Sequence, residues 1–181
     1  MSEIQVASRY AKSLIDLAQE QNALEKVRED IELFIKVCKD NPLLKAVLRN
    51  PIIGPEKKRA ILDELFSGKV HKMLLSYFNI VVNKGRAEIL YATALEFVNN
   101  YNTRKNIVKA TVSSASPLSE KNKREFENLV KNVTKGEVIL ETKVDPDLIG
   151  GYVLKVGDRQ FDASISNSLK KLKKEFNSQI S

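Results

Sequence analysis

What the chain lacks narrows its chemistry before anything in it is read. Among 181 residues there is one cysteine, Cys38, so no internal disulfide can form, which fits a reducing compartment. There is one histidine, His71, and it stands beside Lys72 with no cysteine or second histidine to complete a metal site. Cys38 and His71 fall in different presumed helices, so no nucleophile–base pair is in sight. No apolar run reaches the length of a membrane span. The first residues lack the charged, apolar and cleavage-site regions of a signal peptide, and helical spacing starts within a few residues of Met1. The expectation is a protein with no catalytic residues, no cofactor and no metal, whose work lies in its surfaces.

What is present is an ordinary globular composition, 43% hydrophobic and 29% charged. The formal net charge is +7. Residues 1–105 hold 17 basic against 13 acidic residues, and residues 106–181 hold 13 against 10. An excess spread this evenly describes a solvated surface better than a nucleic-acid footprint.

The first hundred residues carry helical periodicity. Ile4, Ala7, Tyr10, Ala11, Leu14, Ile15, Leu17 and Ala18 form one amphipathic stripe, with Ser2 placed to cap it. Its small residues let another helix come close. Two readings fit: packing within a bundle, or reception of a partner helix. A second helix, Ala23 to Lys39, carries Cys38 on its apolar face as a buried thiol. Asn41-Pro42 reads as an N-cap and first turn of a short third helix. Pro55 opens a fourth, whose Lys57-Lys58-Arg59 reads as a solvated face, and Ser67-Gly68 closes it. The fifth helix, Lys69 to Asn83, is apolar around much of its circumference and is expected at the bundle's centre; His71 is expected as an exposed structural residue. The sixth runs from Ala87 to about Arg104.

After Asn102 to Asn106 the pattern changes, which places a domain boundary between residues 1–105 and 106–181. Val108, Ala110 and Val112 alternate as a strand, Ser119 caps a helix, and residues 137–143 form a second strand. Asp145-Pro146-Asp147 is a turn. Gly150-Gly151 leads into Tyr152-Val153-Leu154-Lys155-Val156, and Gly157-Asp158 is a two-residue hairpin turn. The register pairs Val156 with Arg159, Leu154 with Phe161 and Tyr152 with Ala163, setting the largest apolar residues opposite each other. Ser164 caps a last helix bearing Ile165, Leu169, Leu172 and Phe176. Turn chemistry accounts for Asp145, Asp147 and Asp158 without a metal, and Gly150, Gly151, Gly157 and Asp158 read as architectural. The fold class is α+β and mostly helical: a six-helix bundle, then a small α/β domain with a mixed sheet and two helices.

Four stretches, in their order, resemble one family. They are Arg9-Tyr10-Ala11-Lys12-Ser13-Leu14, Asn50-Pro51, Asn83-Lys84-Gly85-Arg86, and Val144-Asp145-Pro146 through Asp162-Ala163-Ser164. The chain resembles the F-type ATP synthase delta subunit, whose mitochondrial relative is the oligomycin-sensitivity-conferring protein. The resemblance implies a non-catalytic stator subunit, present once in a hetero-oligomer and peripheral on the cytoplasmic face of a bacterial inner membrane. It would link the alpha/beta catalytic hexamer to the peripheral-stalk b subunits, touching the membrane only through the complex. It implies that the helical domain holds N-terminal segments of alpha. Tyr10, Ala11 and Leu14 of the first helix, with Leu74, Phe78 and Val81 of the fifth, are the candidate groove. Lys170, Lys171, Lys173 and Lys174 are candidates for an acidic b-subunit end, or else a solvated lysine face. The competing reading is a basic RNA-binding α/β module, which needs stacking aromatics on a clustered positive surface.

Overall fold

The computed structural model describes residues 3–179, with side chains for residues 4–173. The expected cap Ser2, and the side chains of Lys174 and Phe176, lie outside the described residues. Six helices come first: α1 (Glu3–Glu20), α2 (Leu24–Asp40), α3 (Pro42–Arg49), α4 (Pro55–Phe66), α5 (Lys72–Asn83) and α6 (Leu90–Arg104). Backbone contacts divide the chain between Tyr101 and Asn102, within the last turn of α6. The second unit runs β1 (Ile107–Ser114), α7 (Glu120–Thr134), β2 (Glu137–Val144), β3 (Gly151–Val156), β4 (Arg159–Ser164) and α8 (Ile165–Gln179). The α+β, mostly helical class is as read.

The bundle closes around aromatic side chains. The Phe34 ring lies 5.5 Å from Phe66 and 4.8 Å from Phe78, centroid to centroid, and all three are buried. Non-parallel rings at these separations gain from their quadrupoles beyond the area they bury. Cys38 is buried in the same core, and burial pushes its thiol up to about 11, so it stays protonated and inert.

Several polar residues depart from expectation. Lys58 is not solvated: only 8% exposed, it donates from Nζ to the Leu48 carbonyl at 2.8 Å, satisfying an orphan acceptor near the C-terminal end of α3. Asn41 makes no side-chain cap to α3; its Nδ2 donates back to Val37 O at 3.2 Å, serving α2 instead. α5 starts three residues later than its periodicity suggests, because His71 is the N-cap and is half-buried. Its Nδ1 accepts from the Met73 N–H at 3.3 Å, and its own N–H donates to the buried Asp30 carboxylate at 2.6 Å. The sixth helix opens with a 3-10 turn, Ala87–Ile89, and becomes α-helical only at Leu90.

The sheet order is β2-β1-β3-β4, with β1 and β2 parallel across the α7 crossover and the other pairs antiparallel. The hairpin register is Val156↔Arg159, Leu154↔Phe161 and Tyr152↔Ala163, as the side-chain pairing requires. Asp145 forms the turn by accepting the Asp147 N–H on its carboxylate at 3.0 Å. Ser164 caps α8 by accepting the Asn167 N–H at 3.2 Å.

Gly151 has φ +81°, and a Cβ there would lie 2.3 Å from the Ala163 carbonyl oxygen. Gly151→Ala combines a left-handed backbone with a clash against main chain, and is expected to cost about 2 kcal/mol or more. A urea melt followed by NMR at the ring of Tyr152, the one tyrosine of the second unit, reads this as a lowered midpoint. A wild-type midpoint would mean that the close approach to Ala163 is not a constraint in solution.

Candidate partner-docking surfaces

The helical unit carries an open groove between α1 and α5. It measures about 360 Å³, and Leu17, Met73, Ser76, Tyr77 and Ile80 are among its lining residues. Its floor is apolar because Met73 and Tyr77 are each 8% exposed, while Ile80 stands on the rim at 53%. Lys72 and Gln21 add polar groups at one end. Beneath it, the buried Tyr77 hydroxyl donates to the Tyr10 carbonyl at 3.0 Å, tying α5 to α1. Burial, and after it the neighbouring Tyr10, push the Tyr77 phenol up, so it remains a neutral donor. Outside the residues that line the groove, the turn after α5 is tied to α1 as well: the Arg86 guanidinium lies over the Tyr10 ring, with its Nη1 at 3.2 Å from the Tyr10 hydroxyl.

The groove lies between the two helices named from the sequence, but other residues line it. Ala11, Leu14, Leu74, Phe78 and Val81 are all 0–1% exposed, inside the bundle core. They are therefore corrected from partner-facing to core. Tyr10 alone of the six is partly exposed. The reason is geometric: the centre of an amphipathic stripe goes to the helix's own core, and only its edges remain for another chain. Leu17 and Ile80 are such edges. The available signal was the excess apolarity of α5, more than one buried face needs.

The second unit carries a groove of about 590 Å³ beside α7. Leu129, Val133, Tyr152, Leu154, Val156 and Phe161 are part of its lining, and the Gly157-Asp158 turn lies at one end. α7 packs chiefly over β2 and reaches β3 through Phe126, whose ring lies 4.7 Å from that of Tyr152, while Phe161 of β4 stays exposed beside the groove. Leu129 (50%), Val133 (68%) and Phe161 (54%) are correspondingly exposed. α8 adds an apolar stripe, Ile165, Leu169 and Leu172, each 47–57% exposed. Lys170, Lys171 and Lys173 stand exposed along it. Lys170 and Lys171 help hold the Asp162 carboxyl below its usual range, after the larger effect of hydrogen bonds from the Ser164 hydroxyl and N–H. Gly150, Gly151 and Gly157 lie in the backbone approaches and turn of the hairpin; a Cβ on Gly150 would meet Ile165 Cδ1 at 2.6 Å. Among the described residues no group of three or more His, Cys, Asp or Glu is placed to hold a metal ion.

A helical bundle and a small α/β unit, each with an exposed apolar groove, make the architecture of an assembly subunit. Residues 6–176 match the family model described as ATP synthase delta (OSCP) subunit, and the chain belongs to that family. It is 36% identical over 180 residues to the ATP synthase subunit delta of Cytophaga hutchinsonii, covering 99% of this chain and 98% of that one. It is 39% identical over 176 residues to the same subunit of Amoebophilus asiaticus, covering 97% and 96%. In fold it matches a chain of the Toxoplasma gondii mitochondrial ATP synthase hexamer, with a TM-score of 0.74 over 94% of this chain and 96% of that one, at 20% identity. The function that goes with the family is that of a stator component of the F-type ATP synthase. The RNA-binding alternative finds no support among these relatives, and most of the aromatics it would need lie in the cores. No helix of the described residues is long and apolar enough to cross a membrane.

Proposed function

We propose that the chain is a non-catalytic tie with two ends. The helical unit takes an amphipathic helix from the N-terminal segment of an alpha subunit into the α1–α5 groove. The helix lays its apolar stripe over Met73, Tyr77 and Ile80. The α/β unit joins the ends of the b subunits, with the groove beside α7 as the apolar seat and the α8 lysines as an attractive flank for acidic residues. Held at both ends, the catalytic head does not turn with the rotor, and the subunit meets the membrane only through the complex, on its cytoplasmic face. The observation that carries this reading is the apolar groove between α1 and α5, left open in a family of stator subunits.

Purification of the tagged full chain from native membranes tests it. Alpha, beta and b subunits are expected together in the eluate. Recovery of b without alpha would remove the head-docking half, and recovery of alpha without b would remove the stalk half.

A further inference from the structure

Outside the residues that line the α1–α5 groove, a side-chain contact ties α1 to the turn that follows α5. Tyr10 and Arg86 are 76 residues apart, yet the guanidinium sits 5.7 Å from the Tyr10 ring centroid and bonds its hydroxyl at 3.2 Å. Both residues belong to stretches that carry the family resemblance, Arg9-Tyr10-Ala11-Lys12-Ser13-Leu14 and Asn83-Lys84-Gly85-Arg86. Arg86 is launched from a fixed point. Gly85 turns the chain after α5 with φ +69°, and the Arg86 N–H donates to Val81 O at 3.1 Å. The far end of the tie is equally fixed, since Tyr77 reaches across from α5 to the Tyr10 carbonyl. One residue of α1 is thus held twice, by its ring and by its carbonyl. Both holds come from α5 or the turn that follows it.

An exposed cation–aromatic pair adds little to folding stability. Its consequence lies in geometry, because packing against a third helix depends on the spacing of the two helices that flank it. We propose that Arg86 is a positioning residue: acting through Tyr10, it fixes the separation of α1 and α5 at which the groove admits an amphipathic helix. This rests on the groove reading above.

Calorimetry of the full chain with a synthetic peptide of the alpha subunit's N-terminal segment tests it. Arg86→Ala is expected to weaken binding about five-fold, with the melting temperature nearly unchanged. Tyr10→Phe, which removes the hydroxyl, is expected to weaken it less. The double variant should bind no worse than Arg86→Ala, since the two act as one unit. Arg86→Lys keeps the charge but not the planar contact, and should remain weak. Wild-type affinity in Arg86→Ala overturns the proposal, and so do losses that multiply in the double variant. Full recovery with Arg86→Lys overturns it too, by showing simple attraction of the peptide. Ile80→Asp separates the two readings. Normal binding there removes the groove itself. Lost binding there, beside normal binding in Arg86→Ala, removes only the positioning role.

Discussion

Phe78→Asp is expected to leave the helical unit without a cooperative fold. Phe78 is 1% exposed, with Phe34 at 4.8 Å and Phe66 at 6.3 Å between ring centroids. Removing a buried aromatic costs about 3–5 kcal/mol in contacts and cavity. A carboxylate in its place has no partner in that aromatic cluster, and its desolvation adds several kcal/mol more. Domains of this size are stable by only about 5–15 kcal/mol, so the two losses together consume most or all of the margin. Far-UV circular dichroism should show reduced helicity and no sharp melt. A cooperative melt near the wild-type temperature would show that Phe78 is not in the core. Leu14→Asp follows the same logic at 0% exposure. Neither substitution can therefore probe partner docking, although the sequence alone recommends both.

Leu14 and Leu17 show why. They sit on one stripe of one helix, and periodicity cannot rank them. Yet Leu14 is fully buried while Leu17 lines the open groove. Depth depends on which neighbouring helix covers each turn, and that is a tertiary fact. The same limit hid Lys58 and Asp30. A charge on a helix reads as solvated, but Lys58 answers a carbonyl ten residues away and Asp30 an N–H 41 residues away. The hairpin, by contrast, was legible to the residue. Its turn is local chemistry, and a one-residue slip would move Leu154 and Phe161 off the face they share. The helices were legible as elements, with their ends shifted where capping came from an unexpected group, as at His71. The groove was legible as a pair of helices, and not as a set of side chains.

Ile80→Asp is expected to do what the buried substitutions cannot: keep the fold and lose the partner. At 53% exposure the side chain is already half in water. A surface change on a helix usually alters stability by no more than about 0.5 kcal/mol, and aspartate's poorer helix propensity falls within that range. The melting temperature should stay close to that of the wild type. When an amphipathic helix lies in the groove, the same position is covered by its apolar stripe. A carboxylate is then desolvated without a counter-charge, at a cost of about 2 kcal/mol or more, which is about thirty-fold in affinity. Calorimetry with the alpha N-terminal peptide reads this directly. Phe161→Asp, in the groove of the other unit and 54% exposed, is the matched control and should bind the peptide normally. Equal losses in the two variants would point to a non-specific effect of added charge. A loss confined to Phe161→Asp would move alpha docking to the α/β unit and exchange the proposed roles of the two ends.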